Sequence, residues 1–432
     1  MNYYIGIDFG TSGARLVIVD AKGHLHQEIE SHFPSAPLAY KWPLIWRTTL
    51  FNLIVKIPLR QRLQIQAIAI DGTSATTLLC DKQGNSVTSP LLYNDGRGVE
   101  ILESLKAIAP KNHPVLSATS SLAKLLWWQQ HHTELNLPNQ SLYFLHQADW
   151  LGFLLHGKLG ISDYNNALKL GYDVTNLCYP NWLIDGMNLG SSWLKIQLPD
   201  VVAPGTKIGC ITSEIAEQFK LPKSCVVCAG TTDSIAAFLA SGATTPGEAV
   251  TSLGSTLVLK LLSHTPVNDT RYGIYSHRFG NLWLTGGASN TGGAVLRAFF
   301  SDRELETLSS QINPNLSSSL DYYPLLKKGD RFPINDPELL PRLEPRPENS
   351  VEFLHGLLES MARIETLGYQ LLQERGATPL TQVYTAGGGA KNPVWTAIRE
   401  RYLKVSVIQP QHTAAAYGVA RLAMQSLESG IS

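Results

Sequence analysis

YIGIDFGTSGAR, residues 4–15, begins as an apolar run, carries one acid inside it (Asp8), breaks at Gly-Thr-Ser-Gly and ends on Arg15. The runs YYIGIDF (3–9) and RLVIVD (15–20) are rich in β-branched residues, so they read as two antiparallel strands around a tight turn. Such a turn can aim successive backbone N–H groups and hydroxyls at one point, an anion-binding nest. Gly10 and Gly13 permit the backbone angles, and Thr11 and Ser12 add donors. A carboxylate withdrawn from water needs a cation, a donor or a chemical task. Beside a phosphate nest, Asp8 suits Mg²⁺, which takes one or two carboxylates with phosphate oxygens and waters.

The pattern returns in the second half of the chain. EAVTSLGSTLVLKLLS (248–263) is again strand, turn and strand, with Gly254, Ser255 and Thr256 at the turn. Two nests facing a shared cleft would grip a polyphosphate from both sides, which points to a duplicated domain. The length agrees: 432 residues exceed the roughly 250–300 at which one core stops growing. IQAIAID (65–71) reads as a buried strand ending on Asp71, followed by GTSATTLLCD. SCVVCAGTTDSIAAFLASGA (224–243) reads as strand, turn and a helix from about Ser234, with Asp233 at the helix start. There Asp233 serves either as an N-cap or as a reactive acid. QVYTAGGGAKNPVW (382–395) gives strand, Gly-rich turn and helix, and TAAAYGVARLAMQSL (413–427) a last helix. Two helices are set by spacing alone: 43–58, with Trp46, Leu50, Leu53 and Ile57 on one face, and 352–375, with Phe353, Leu357, Met361, Ile364, Leu367 and Leu371.

Several function classes are excluded. Lys+Arg and Asp+Glu both count 35, so no basic excess suits nucleic acid or a membrane surface. No apolar run approaches the roughly 18 residues that span a bilayer. No secretory leader is visible, and the five cysteines are sparse and odd in number, which reads as reduced thiols inside a cell. CVVC (225–228) has no second pair to complete a zinc site, and strand alternation places its sulfurs on opposite faces. No GxxxxGK[ST] occurs, and GGGAKN (387–392) lacks the GxGxxG spacing of a Rossmann site.

Taken together, the motifs resemble a known family. IGIDFGTSGARLVIVD is similar to the first phosphate motif of the sugar-kinase, actin and Hsp70 ATPase superfamily, AVTSLGST to its second, and VYTAGGGAKNPVW to its adenosine motif. AGTTDSIAAFLASGA and AAAYGVARLA resemble its two connecting helices, the former as found in FGGY-type carbohydrate kinases. PLLYNDGR (90–97), YYPLLKKGDRFP (322–333) and LTGGASNTGGAVLRAFF are further FGGY-like pieces, and the match runs in order from residue 4 to about 425. The resemblance implies an α/β fold of two duplicated ribonuclease H-like (actin-like ATPase) domains, each a mixed five-stranded sheet flanked by helices, with a cleft between. Residues 1–230 form the first domain, joined by a C-terminal helix at about 413–428, and residues 231–412 the second.

By that resemblance the activity is ATP-dependent phosphorylation of a sugar hydroxyl, with Asp233 as catalytic base and sugar contact, and Asp8 near Mg²⁺ and the substrate. Gly10, Thr11, Ser12 and Arg15 match the first phosphate turn, and Gly254, Ser255 and Thr256 the second. Gly388, Gly389 and Asn392 match the adenine side, with Trp395 lining it. The physics suits this chemistry, since phosphoryl transfer asks for alignment, charge neutralisation and a base.

For the acceptor, xylulose kinases carry Gln-Met-His after the strand that here reads IQAIAID, whereas this chain has Thr73, Ser74 and Ala75. DGTS is more similar to the D-x-T-[SC] of ribulose-type kinases, and the whole chain resembles the compact ribulose- and xylulose-kinase-like proteins of cyanobacteria and plant plastids. The expected acceptor is D-ribulose, contacted by Asp71, Ser74, Asp8 and Asp233. D-xylulose or another polyol is the alternative, and a non-catalytic ATP-binding relative the alternative from another class. The expected partners are a small sugar and ATP, without nucleic acid or membrane. The protein is expected to be a monomer or homodimer in the cytoplasm or plastid stroma.

Overall fold

The computed structural model describes residues 1–137, 141–188 and 195–428. The chain divides into two units, Met1–Ala240 with Ala414–Ser432, and Ser241–Thr413. The first carries β1 (Tyr3–Phe9), β2 (Gly13–Asp20), β3 (Leu25–His32), β4 (Ile65–Gly72), β5 (Thr77–Cys80), β6 (Leu142–His146), β7 (Ile161–Asp163), β8 (Ile196–Gln197), β9 (Asp200–Val202), β10 (Lys207–Cys210) and β11 (Val226–Thr232). The second carries β12 (Glu248–Leu253), β13 (Leu257–Ser263), β14 (Tyr275–Phe279), β15 (Leu282–Ser289), β16 (Gln382–Ala386) and β17 (Ser406–Ile408).

The main sheet of the first unit runs β10-β11-β4-β1-β2-β3, that of the second β14-β15-β13-β12-β16-β17. β1, β2 and β3 pair antiparallel, while β4 pairs parallel with both β1 and β11. β12, β13 and β15 repeat the antiparallel trio, and β16 pairs parallel with β12 and β17. The same five-strand core therefore occurs twice, in the same order and with the same directions. The sheets hold six strands where five were expected. The additions are short antiparallel edge strands, β10 beside β11 and β14 beside β15. Such short edges leave little periodicity to read in sequence.

The division falls at 240/241, ten residues later than the expected 230/231, because the helix Asp233–Ser241 packs within the first unit. The C-terminal helix Ala415–Glu428 lies on β1 so closely that a Cβ at Gly6 would come within 2.0 Å of the Ala416 carbonyl oxygen. Its Gly418 backs onto the helix Asp233–Ser241, where a Cβ would meet the Ala236 carbonyl oxygen at 1.9 Å. These two bare positions let three elements stack in contact, and that stack fixes where Asp233 begins its helix.

The helix Trp42–Lys56 buries Trp46, Leu50 and Leu53 against the sheet, with Ile57 buried just beyond its end. Cys225 packs in one core layer of the first unit and Cys228 in the other, as alternation requires. The helix Ser350–Glu374 buries Phe353, Leu357, Met361, Ile364 and Leu371, but Leu367 is 45% exposed. The buried stripe passes instead through Gly368, where a Cβ would stand 2.6 Å from Leu259 and 2.7 Å from Phe332.

Candidate active site

Strand register assembles the acids of the first unit. Asp8 on β1 is the register partner of Asp71 on β4 and of Arg15 on β2, and Thr231 on β11 partners Asp71. Arg15, Asp8, Asp71 and Thr231 thus form one row across four adjacent strands, and residues in register share a face. Asp233 follows two residues after Thr231 as the first residue of its helix, half-buried, with Oδ1 accepting the Ser234 N–H at 2.6 Å.

This row leaves charge unsatisfied. Asp71 is fully buried, and neither of its oxygens has a hydrogen-bond partner; Asp8 Oδ1 has none either. Burial lifts the Asp71 carboxyl well above the ordinary carboxylate range, and the charges of Asp8 and Asp233 push it further the same way. Burial also raises Asp8, with Asp71 and Arg15 opposing the rise. Two close carboxyls in low dielectric resist ionising together, and Asp71, the more deeply buried, is the one pushed up further. Asp8 then presents a carboxylate oxygen with no protein donor, a place a divalent cation would satisfy. Among the described residues no cluster of three or more His, Cys, Asp or Glu forms a metal cage. Mg²⁺ would therefore be held by Asp8 with phosphate oxygens and waters, the manner in which it is usually bound beside nucleotides.

The first turn is closed by the Gly10 N–H donating to Gly13 O at 3.0 Å, and Ser12 O accepts the Phe33 N–H at 2.9 Å. Thr11 and Ser12 are exposed at its tip. Arg15 does not project from the turn as an unpaired cation. Its guanidinium pairs with Glu28 at 3.1 Å and with Glu30, both on β3.

Past Asp71 the chain turns through Thr73, Ser74 and Ala75. Both the N–H and the hydroxyl of Thr73 donate to Gln147 Oε1 at 3.1 Å, and the Thr73 and Thr76 hydroxyls bond at 2.6 Å. The Tyr93 N–H donates to Thr76 Oγ1 at 2.9 Å, tying in the 90–97 segment. Ser74 is half-buried, while Ala75 is buried with φ of 64°, a strained value for a residue with a side chain.

In the second unit the turn at Gly254, Ser255 and Thr256 is built on by the helix Gly293–Phe299. Gly293 N–H donates to Gly254 O at 2.9 Å and Ala294 N–H to Ser255 O at 3.1 Å, while Gly254 N–H donates to Thr256 O at 3.2 Å. All three turn carbonyls are spent internally, so what the turn has left to give is N–H and hydroxyl donors. That is the composition an anion site needs. Arg297, one turn along that helix, donates to Ser255 Oγ at 3.3 Å. Sequence reading passed over it, although an Arg four residues after Gly-Gly in LTGGASNTGGAVLR was the available signal.

The adenosine-motif residues separate. Gly388 is exposed, with open space where a Cβ would stand. Gly389 lies against Trp395, since a Cβ there would reach the indole at 2.6 Å. Asn392 caps the helix Pro393–Leu403, its Oδ1 accepting the Trp395 N–H at 3.0 Å and its Nδ2 donating to Ser309 at 2.8 Å. Trp395 is 2% exposed and belongs to the core of this unit. Asn392 and Trp395 therefore shape and stiffen the Gly-rich turn, while the face open to a ligand is that of Gly388.

Residues 3–240 match the model for the N-terminal domain of the FGGY family of carbohydrate kinases. A xylulose kinase of Staphylococcus xylosus is 23% identical over 450 residues, covering 98% of this chain and 90% of that one. Among solved structures, a xyloylose kinase from Brucella ovis aligns with a TM-score of 0.84 at 22% identity, covering 99% of this chain and 91% of its own. A gluconate kinase from Lactobacillus acidophilus aligns with a TM-score of 0.83 at 17% identity, over 100% and 90% of the two chains. The two-unit architecture described above is the one these structures share. No helix among the described residues is long and apolar enough to cross a membrane.

Proposed function

This chain belongs to the FGGY family of carbohydrate kinases, and from that premise we propose that it is a pentulose kinase converting D-ribulose and ATP into D-ribulose 5-phosphate and ADP. The observation that carries the reading is the acid row of the first unit: Asp8 and Asp71 side by side on adjacent strands, with Asp233 two residues past Thr231 on the next strand. Three carboxyls in such different surroundings divide the work. Asp71, kept neutral, orients by donating a hydrogen bond to a neighbour or to a sugar oxygen. Asp233, half-buried at a helix start, accepts the proton of the acceptor hydroxyl. That oxygen then attacks the γ-phosphorus, the bond to the β-phosphate oxygen breaks, and ADP leaves with the electron pair. Mg²⁺ bound beside Asp8 would supply neutralisation of phosphate charge.

In the first unit Thr11 and Ser12, with Gly10 at the turn, offer donors suited to phosphate oxygens. Taken by itself, the second unit offers Ser255, Thr256 and Arg297, with Gly254 at the turn, for the same kind of ligand atom. Gly388 and Gly389 offer the flat backbone face against which adenine rests. Ser74 and Asp71 contact the sugar.

D-ribulose rather than D-xylulose follows from Ala75, a buried methyl where xylulose kinases place an imidazole. Relatives of this chain include xylulose kinases, and a gluconate kinase shares the fold, so fold alone does not choose the acceptor. An ADP-release assay over D-ribulose, L-ribulose, D-xylulose, L-xylulose and glycerol decides. The highest kcat/KM is expected for D-ribulose. A preference for D-xylulose overturns the reading of Thr73, Ser74 and Ala75 and leaves the kinase standing.

A further inference from the structure

Lys124 sits in the middle of the helix Ser121–Gln130, and it is fully buried. Lysine is almost never fully buried without a partner. Among the described residues no carboxylate pairs with it: Nζ donates to two backbone carbonyls, Ala75 O and Leu92 O, each at 2.6 Å. Burial pulls its pKa down to about 7, with Lys169 and Arg97 adding to the fall and Asp95 opposing it. Charged or neutral, the amine has the N–H donors for both carbonyls, so the two contacts do not depend on its protonation state.

The two carbonyls identify what is being held. Ala75 closes the Thr73–Ala75 turn that leaves β4 two residues after Asp71, and its φ of 64° is one that a side-chain-bearing residue keeps only under restraint. Leu92 opens the Tyr93–Arg97 stretch, already tied to the same turn through the Tyr93 N–H and Thr76. Without the amine, the buried Ala75 carbonyl would lose the donor that anchors the turn, while Leu92 O would keep only the Asp95 N–H at 2.9 Å.

We infer that Lys124 is a positioning residue for the sugar acceptor: its amine clamps the Thr73–Ala75 turn to the 92–97 segment and thereby fixes Ser74 where the acceptor binds. This rests on the acid row being the acceptor site, but not on which sugar is used, so it is judged on whichever acceptor gives the highest kcat/KM. Lys124→Met keeps the length of the side chain and removes both donors. The KM for the acceptor is expected to rise about tenfold or more, with the KM for ATP within about twofold. Lys124→Gln, which keeps N–H donors on a shorter arm, gives a smaller rise of the same kind and carries the test where the methionine variant does not fold. Acceptor and ATP constants that move together, in step with a lowered melting temperature, would mean a structural lysine only and overturn the inference. An acceptor KM unchanged in both variants overturns it equally.

Discussion

Each unit of this protein buries charge beside its central strand, and the two do it in opposite ways. Asp8 and Ser252 occupy the same place, two residues before the turn glycine on the central strands β1 and β12. Their register partners on the parallel neighbours are Asp71 and Ala386. The acid pair of the first unit is thus a serine and an alanine in the second. One residue earlier the contrast reverses. Ile7 and Ile70 are apolar in the first unit, whereas Thr251 and Thr385 in the second receive a buried ion pair. Arg399 grips Glu365 with two bonds of 2.6 and 2.7 Å and Thr385 with a third at 2.7 Å, while Thr251 donates to Glu365 at 2.5 Å. Arg399 and Glu365 are fully paired, whereas Asp71 faces another carboxyl, Asp8, and has no cation beside it among the described residues. A paired buried charge holds structure together; an unpaired one is tolerated where chemistry needs it. On the proposed function, one sheet spends its charge on architecture and the other offers it for reactivity.

The sharpest way to break this comparison is at Asp233, the acid given a proton-transfer role. Asp233→Ala is expected to lower kcat by roughly 10²–10⁴-fold, the usual worth of a general base, with ATP binding by calorimetry nearly intact. A variant that unfolds instead would make Asp233 a helix cap. The mirror experiment is Glu365→Ala. It leaves Arg399 buried without its partner and should cost about 3–5 kcal/mol in urea unfolding. If that variant loses activity without losing stability, the division between architectural and reactive charge is wrong.

Asp71 sharpens the contrast through pH. Its folded-state pKa is raised, so the folded protein binds a proton that the unfolded chain releases near pH 4. Its contribution to stability is complete below that value and declines as pH rises toward the raised folded pKa. Asp71→Asn keeps the shape without the titration. Its melting temperature should match wild type near pH 4 and exceed it progressively at higher pH. Thermal melts across pH 4–8 measure the difference, and a constant gap would show that Asp71 ionises without penalty.

What the sequence made legible was local. Both hairpins, the helix starting at Asp233 and the stripe from Phe353 to Leu371 each lie within a short window, where periodicity and turn chemistry act. The pairing of Asp8 with Asp71 spans more than sixty residues and exists only through the β1–β4 register. Each acid could be singled out by its place in an apolar run, but not the pairing. The Arg399–Glu365 pair links two helices and left no local mark. Asn392 and Trp395 were legible as a motif but not in their structural duties. A Gly-rich turn followed by Asn and Trp reads as a ligand pocket; that the amide also caps a helix and the indole also packs in the core shows only in three dimensions. Nothing in the sequence around Lys124 marks it, and only its burial does.

Arg15 supplies the smallest effect and tests how far the two turns differ. The motif assigns it to the first phosphate turn, but its guanidinium already pairs with Glu28 and Glu30. In the second unit the arginine near the turn, Arg297, contacts the Ser255 hydroxyl instead. A cation committed to two carboxylates has little charge left for a phosphate, and an ion pair this exposed adds under about 1 kcal/mol. Arg15→Gln should therefore change the KM for ATP by no more than about threefold and leave the urea midpoint nearly unmoved. Arg297→Gln should raise the KM for ATP by about tenfold, as loss of a charge-assisted bond to phosphate does. If the two variants behave in the reverse order, Arg15 releases its glutamates when nucleotide binds, and the first turn carries the phosphate charge.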